Sequence, residues 1–198
     1  MNNSDWDKEY ISGGFRDKWD IPYPSQELVA FVATINFPKE TVALDIGCGA
    51  GREAVFLAQQ GLNTIGVDLS AEALKIAAER AIEAGVHVDW RQGNALNLPV
   101  EDHSVDFIND RGTFHVIVED DRDQFAQEIA RILKPDGMML LRGCREPKEG
   151  GDHVAVTEQA INRYFSKYFD RGKVLPIQMV DFSREGMDGN IVILKKSK

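Results

Sequence analysis

The feature that most constrains the fold of this chain is a glycine-rich turn between an apolar run and a helical segment. The run TVALDI (residues 41–46) has the composition of a short buried strand, and Gly47, Gly49 and Gly51 follow it at alternate positions. Glycine has no Cβ, so such a turn lets the backbone approach a ligand closely. A glycine turn between a strand and a helix usually cradles a nucleotide, and we expect a ligand of that kind here.

The rest of the chain alternates between short apolar runs and amphipathic helical segments, which indicates a parallel sheet with helices on both faces. Strands are expected at 41–46, 63–69, 86–93, 104–112 and 137–143, and helices at 25–35, 52–61, 70–85, 121–133 and 157–169. Ser70 and Thr157 have the positions of N-caps. Two last apolar runs, 173–183 and 189–196, predict an antiparallel hairpin. The predicted fold is α/β: a doubly wound, Rossmann-like, mostly parallel sheet of about seven strands with that hairpin at its edge.

Residues 1–40 are expected to form a segment of their own ahead of the sheet domain, which takes residues 41–198. Aromatic residues are concentrated in this segment, at Trp6, Tyr10, Phe15, Trp19 and Tyr23. The segment either covers one face of the domain or forms a lid over the carboxyl ends of the strands, where ligands of open α/β sheets bind. Spacing alone favours the covering role, because aromatic residues usually belong to a core.

Composition argues against several partners and sites. The formal net charge is −9, and nucleic-acid backbones are bound mainly through Lys and Arg, so we expect no nucleic-acid partner. The N-terminus has no apolar signal region, and no apolar run approaches the roughly 20 residues that span a bilayer. We therefore expect a cytoplasmic protein with no membrane partner, as a monomer or homodimer. Cys48 and Cys144 are expected to be reduced, buried thiols, and no metal site is expected.

The glycine turn departs from the dinucleotide fingerprint G-x-G-x-x-G, because Arg52 stands where the third glycine belongs. Asp45 lies two residues before Gly47, where its carboxylate would repel a pyrophosphate but would suit a cationic ligand. S-adenosylmethionine is such a ligand, with a sulfonium, an ammonium and no phosphate. Asp68, at the end of the second strand, is expected to accept hydrogen bonds from both ribose hydroxyls. The turn therefore favours a cationic adenosyl compound.

Four stretches, LDIGCGAG, IGVDLS, GNALNLP and RILKPDG, resemble in this order the successive motifs of class I S-adenosylmethionine-dependent methyltransferases. The resemblance runs from about residue 41 to residue 143, and the terminal hairpin matches the family's usual sheet ending. The stretch DRGTFHVI (residues 110–117) resembles the small-molecule branch that includes thiopurine and tellurite methyltransferases. The resemblance implies methyl transfer from S-adenosylmethionine, with S-adenosylhomocysteine as product, to a sulfur, selenium, tellurium, oxygen or nitrogen atom of a small molecule.

The resemblance also implies roles for individual residues at the cofactor. The methionine portion would be lined by Asp45, Gly47, Cys48 and Gly49, the ribose held by Asp68, the adenine face contacted by Leu69, and the adenine edge read by Asn94 and Ala95. Asp110 would close the site near the methionine or the transferring methyl, both as a cofactor-binding residue and, with His115, as a candidate catalytic residue. The family resemblance shifts the N-terminal segment towards the lid role, with Trp19 over the cofactor. The acceptor pocket is predicted between that segment, the RGTFHVI loop and the connection at residues 144–156.

The roles of two residues, and the function of the chain itself, each have alternatives at this point. His115 is the candidate base for a hydroxyl or amine acceptor, and the alternative is a buried histidine that orients its loop. Arg111 is predicted to lie among the cofactor-binding residues, where its side chain either attracts an anionic acceptor or pairs with a nearby carboxylate. The rival functions are a non-catalytic S-adenosylmethionine-binding module and an NAD-type oxidoreductase, the latter opposed by Arg52 and Asp45.

Overall fold

The structure is a computed structural model that describes residues 3–146, 155–179 and 186–197. Its strands are β1 Val42–Ile46, β2 Asn63–Asp68, β3 Asp89–Gln92, β4 Val105–Arg111, β5 Leu133–Cys144, β6 Phe169–Arg171, β7 Leu175–Met179 and β8 Met187–Lys196. They form one sheet in the order β3-β2-β1-β4-β5-β8-β6, with β7 also paired to β8. Strands β1 to β5 pair in parallel, whereas β8 is antiparallel to β5, β6 and β7. The predicted Rossmann-like sheet with antiparallel C-terminal strands is confirmed.

The α-helices of the described ranges are α1 Asn3–Ser12, α2 Gln26–Thr34, α3 Arg52–Gln59, α4 Ala71–Ala84, α5 Arg122–Ile132 and α6 Glu158–Phe165. Two predicted N-caps are confirmed: the Ser70 hydroxyl accepts the Ala73 N–H at 3.1 Å, and the Thr157 hydroxyl accepts the Ala160 N–H at 3.1 Å. None of the helices in these ranges is long and apolar enough to cross a bilayer.

The sheet is buried between two helical layers, and alternate residues of one strand serve different layers. On β4, Phe107 packs with Leu28 of α2 and Leu57 of α3. The next residue, Ile108, faces the opposite layer, where Phe125 of α5 and its neighbours from α6 lie. Both faces of the central strands are covered, so a polar side chain within them needs a partner inside the protein.

The predicted fifth strand, 137–143, begins earlier in the structure, at Leu133. The pairing with β4 is irregular there, because Val105 pairs with Leu133 while Phe107 pairs with Met138. The extra residues of β5 bulge out of the ladder, which accommodates Pro135 although it has no N–H to donate. The predicted hairpin runs are confirmed as β7 and β8; residues 180–183 of the first run lie outside the described residues.

Residues 3–34 follow two different courses. Helix α1 and a short 3₁₀ helix at Gly14–Asp17 lie against α4 beside the glycine turn, whereas α2 packs on a face of the sheet. An ion pair fixes the segment that follows the 3₁₀ helix to α4, because Arg80 of α4 pairs with Asp20 at 2.9 Å. The division of the chain at residue 40 stays a prediction.

Candidate functional site

A cavity of about 90 Å³ lies at the carboxyl ends of β1 and β4. Its lining comes from the N-terminal segment, the glycine turn, the first turn of α3 and the end of β4: Tyr10, Trp19, Asp20, Ile21, Tyr23, Asp45, Gly47, Cys48, Gly49, Ala50, Arg52, Glu53 and Arg111. This edge is where open α/β sheets bind ligands. Of the residues predicted to contact the cofactor, Trp19, Asp45, Gly47, Cys48, Gly49 and Arg111 line this cavity.

The glycine turn is shaped by its own backbone and by two segments that pack onto it. Gly47 and Gly49 have φ values of 62° and 52°, which L side chains rarely adopt. A Cβ at Gly47 would lie 2.1 Å from Thr113 Oγ1, and one at Gly49 would lie 2.6 Å from the Tyr10 hydroxyl. Glycine is therefore required at both positions, by the backbone conformation and by the close packing of Thr113 and Tyr10; the turn is called the glycine cradle below.

Asp68 ends β2 beside the turn, and its two carboxylate oxygens accept hydrogen bonds from backbone N–H groups. One bond comes from Gly49 at 2.8 Å and the other from Ser70 at 2.8 Å. Burial raises the pKa of Asp68, and the backbone hydrogen bonds oppose that rise. Each carboxylate oxygen keeps a further lone pair, so the group is able to accept hydroxyl hydrogens as well.

The inner wall of the cavity is a cluster of buried polar side chains. Asn109 Nδ2 donates to Asp45 Oδ1 at 2.7 Å and to Glu53 Oε2 at 2.7 Å. Arg142, which is 0% exposed, donates to Glu53 Oε2 at 2.9 Å and to Asn109 Oδ1. Glu53 Oε1 accepts the Ser25 N–H at 3.2 Å. Side chains from β1, α3, β4 and β5 thus meet at one point.

The two carboxyl groups of this cluster differ in their tendency to ionise. Burial, together with the charge of Glu53, raises the pKa of Asp45. Burial alone would raise the pKa of Glu53, but the Arg142 and Arg111 guanidinium groups outweigh it and lower that pKa. The negative charge of the wall is therefore held on Glu53, and a cation beside Asp45 would favour its ionisation.

Arg111 is the last residue of β4, and its side chain lines two cavities. Its Nε is 3.9 Å from Glu53 Oε1, which is the carboxylate pairing foreseen as one of its two roles. Burial lowers its pKa, and Glu53 opposes that change. A second cavity of about 30 Å³ lies beyond it, with Tyr23, Glu27 and Gln178 in its lining. Much of the connection at 144–156, expected to line the acceptor pocket, lies outside the described residues.

Asp110 and His115, the predicted catalytic pair, support the loop after β4 and do not line the larger cavity. The Asp110 carboxylate accepts the Thr113 N–H at 2.7 Å and the Phe114 N–H at 3.1 Å, and burial raises its pKa to about 7. His115 Nδ1 accepts the Cys144 N–H at 3.1 Å. This contact is the kind expected of the loop-orienting alternative; the catalytic roles stay predictions.

The predicted adenine contacts lie further along the same edge. Leu69 follows β2, and its carbonyl accepts from Gln92 Nε2 at 3.1 Å. Asn94 is exposed, and its Oδ1 accepts the Leu96 N–H at 2.9 Å. Ala95, next along the chain, is half-buried. Within the turn the Cys48 thiol is buried, which raises its pKa. The adenine-binding roles stay predictions.

Four residues that the sequence analysis did not assign to the site stand out: Tyr10, Glu53, Asn109 and Arg142. The last two carried a signal, because each is a polar residue inside an otherwise apolar strand. Such a residue needs a buried partner, but the partner's identity is not readable from the run itself.

Comparison with known proteins gives one family and one fold. The family model described as "Methyltransferase domain" matches residues 44–141. An uncharacterized methyltransferase of Bacillus subtilis, YcgJ, is 37% identical over 125 residues, which are 63% of this chain and 49% of that protein. The matched region of this chain spans about half the length of the curated relatives.

Two solved structures share the fold. One, from work on the conversion of a disulfide bond into a thioacetal group during echinomycin biosynthesis, has a TM-score of 0.86 at 19% identity and covers 98% of this chain and 92% of that one. The other is phosphoethanolamine N-methyltransferase 2 of Haemonchus contortus, in complex with phosphomonomethylethanolamine and S-adenosylhomocysteine. It has a TM-score of 0.73 at 19% identity, and the match covers 97% of this chain and 58% of that one. At these identities the likeness shows the fold alone.

Proposed function

Because this chain belongs to the S-adenosylmethionine-dependent methyltransferase family, we propose that it transfers a methyl group from S-adenosylmethionine to a small-molecule acceptor. The observation that carries the proposal is the cavity wall formed by Asp45 and Glu53 beside the glycine turn. This carboxylate wall offers acceptors to the ammonium of the ligand, and Arg52 and Arg111 line the same cavity. Asp45 stands beside the turn, where its carboxylate would repel a pyrophosphate but suits a cationic ligand. A methyl donor therefore suits the site better than a dinucleotide.

The proposed binding mode follows the order of the strands at the carboxyl edge. The methionine portion would lie against Asp45, Gly47, Cys48 and Gly49, the ribose at Asp68, and the adenine along Leu69, Asn94 and Ala95. Gly47 and Gly49 line the cavity and carry no side chain, which supports a close approach of the ligand to this backbone. The N–H groups already bonded to Asp68 support its role, because they fix the carboxylate in one orientation.

The chain's own task in the reaction is to align the reactants and exclude water. When bound, S-adenosylmethionine supplies a methyl group whose bond to sulfur breaks as the acceptor atom bonds to carbon, leaving a neutral thioether. Trp19 and Tyr10 would cover the site from the N-terminal segment, and the Trp19 Nε1 donates to the Tyr10 hydroxyl at 3.3 Å. Asp20 would hold this cover closed through Arg80. Such closure accounts for alignment in many enzymes.

The acceptor is proposed to enter through the second cavity, beyond Arg111. A thiolate or a chalcogen oxyanion, as proposed from the resemblance to the thiopurine and tellurite branch, has no proton to lose and would need no base. A hydroxyl or amine would need its proton removed, and His115 is the proposed base for that case. The small-molecule class is supported by the lack, within the described residues, of an inserted domain between the strands and helices of the sheet.

The experiment that tests this function is an acceptor screen read out as S-adenosylhomocysteine formed. The panel contains thiols, selenite and tellurite, phenols and amines, with a folded protein and an RNA as further acceptors. We expect turnover with at least one small-molecule class. Binding of S-adenosylhomocysteine without any turnover would indicate a non-catalytic module, and faster methylation of the protein or RNA would contradict the small-molecule assignment.

A further inference from the structure

We propose that Glu53 is a second carboxylate of the site that holds the cofactor's ammonium group, with Arg142 and Asn109 as its positioning residues. The inference rests on the proposed function, because the ammonium belongs to the amino-acid end of S-adenosylmethionine. It adds to that function a residue of α3 that no motif in the sequence indicated.

The geometry places Glu53 beside Asp45 at one subsite. Both side chains line the cavity, and both accept hydrogen bonds from the same Asn109 nitrogen, each at 2.7 Å. Two carboxylates that share one amide nitrogen are close enough to face one ammonium group, which has three N–H donors. The pair therefore offers more than one acceptor to the ammonium.

Arg142 explains how Glu53 keeps its negative charge in the wall beside Asp45. Its side chain is 0% exposed and its guanidinium donates to Glu53 and Asn109. It is not part of the cavity lining, so it acts on a ligand through Glu53. Loss of either charge of this pair is destabilising, so the change chosen is Glu53→Gln, because Glu53 lines the cavity and glutamine keeps the size of the side chain.

A purely structural role for Glu53 makes a different prediction. Its other oxygen accepts the Ser25 N–H, so the side chain also anchors the start of α2. If anchoring were its whole role, replacing it would weaken every adenosine ligand alike. If it holds the ammonium, the loss is confined to ligands that carry an amino-acid end.

The chain offers a matched control in Glu128 of α5. Glu128 is 9% exposed; it accepts the Leu98 N–H at 2.6 Å and pairs with Arg131 at 2.7 Å. It is thus a second buried glutamate held by an arginine and a backbone N–H, and it does not line the cavity.

The test is calorimetric titration of the full chain and its Glu53→Gln and Glu128→Gln variants with two ligands. S-adenosylhomocysteine carries the ammonium, and 5′-methylthioadenosine has the same adenosine and thioether without the amino-acid end. We expect Glu53→Gln to lower the affinity for S-adenosylhomocysteine about 10–100-fold, in line with the loss of a charged hydrogen bond. The affinity for 5′-methylthioadenosine should change less than about twofold. Glu128→Gln should leave both affinities unchanged.

A Glu53→Gln variant that weakens both ligands equally, or neither, would overturn the inference. If that variant does not fold, Glu53→Asp is used, which keeps the charge but shortens the side chain by one methylene. A smaller loss of affinity, again confined to S-adenosylhomocysteine, is then expected. An equal loss of affinity for both ligands would count against the inference. Failure of the wild-type protein to bind S-adenosylhomocysteine would instead contradict the proposed function.

Discussion

Two clusters with a buried glutamate lie at opposite ends of the same sheet, and they differ in what surrounds them. At the amino end, Arg131 donates to the Leu98 and Val100 carbonyls as well as to Glu128, so the cluster ties the loop before β4 to α5. At the carboxyl end, Glu53 and Asp45 face a cavity. A glutamate paired with an arginine therefore bonds backbone groups of a loop at the amino end, whereas at the carboxyl end such a pair also lines a cavity.

The comparison separates stability from binding. Charges that fix backbone groups are expected to affect unfolding and leave ligand affinity alone, because the same contacts exist with and without ligand. Charges that face a cavity are expected to change ligand affinity, in addition to any effect on unfolding through their buried partners. The following predictions test this separation, from the largest expected effect to the smallest.

The largest effect is expected at His115, provided that the acceptor is a hydroxyl or amine. His115→Ala should then lower kcat by about 10²–10⁴-fold, the usual contribution of a positioned base, while S-adenosylhomocysteine affinity stays unchanged. With a thiol or chalcogen acceptor the rate should barely change. His87→Ala, at an exposed position before β3, is the control for steady-state kinetics. An equal rate loss for both acceptor classes would assign His115 to loop orientation only.

Removal of the residues before Tyr23 is expected to lower turnover by about 100-fold, because the reactants lose the cover that aligns them. The melting temperature should also fall, since Phe15 is fully buried, but the truncated protein should remain folded. Thermal melting and turnover are compared on the same preparation. Early melting or aggregation with unchanged specific activity would identify the segment as a covering part of the core.

Asp68→Ala is expected to make the free energy of S-adenosylhomocysteine binding less favourable by about 1–3 kcal/mol, because charge-assisted hydrogen bonds to the ribose hydroxyls are lost. Calorimetry of the folded variant measures the effect. Asp89→Ala, on the surface of β3 with an Arg91 ion pair, is the control that removes an exposed carboxylate. An unchanged affinity in folded Asp68→Ala would rule out the ribose assignment.

The affinity for S-adenosylhomocysteine is expected to rise with pH across neutrality. Burial and the charge of Glu53 raise the pKa of Asp45, so Asp45 binds a proton at lower pH and loses it as the cationic ligand binds. The rise is limited to about tenfold per pH unit for one proton. Calorimetry in two buffers of different ionisation enthalpy detects the released proton, and Asp45→Asn should abolish it. A flat profile in the wild-type protein would contradict this coupling.

The smallest effect on ligands is expected at the amino end. Glu128→Gln should lower the free energy of unfolding by about 1–2 kcal/mol, because Arg131 is partly exposed and the solvent screens the pair. Turnover at a permissive temperature should equal that of the wild-type protein. Chemical denaturation and steady-state kinetics measure the two effects; a loss of turnover without a loss of stability would break the contrast between the clusters.

The sequence was sufficient for most of the sheet, because its central strands are apolar runs between clear helix signals. Ser70 predicted the start of α4 correctly, since a serine at that position satisfies a free N–H. Helix α1 was missed because it carries no continuous apolar stripe, and contacts with α4 stabilise it instead. Strand β6 was missed because three residues are too few for an alternating pattern to be recognised.

The glycine turn and Asp45 were recognisable locally, whereas the cluster around them was not. Asn109 meets Asp45 only because β4 lies beside β1 with these two residues in register. Arg142 reaches them from β5, a strand farther in the same sheet. The positions of long-range partners depend on strand order and register, which a local pattern does not contain.

The most direct test of the account is a calorimetric titration of S-adenosylhomocysteine into the wild-type protein, with NAD as the comparison ligand. A cavity with a glycine cradle and a carboxylate wall predicts saturable one-to-one binding of S-adenosylhomocysteine and no binding of NAD. Binding of NAD together with no detectable heat from S-adenosylhomocysteine would contradict the central claim, because the wall would then accept a pyrophosphate and reject the cation it is proposed to hold.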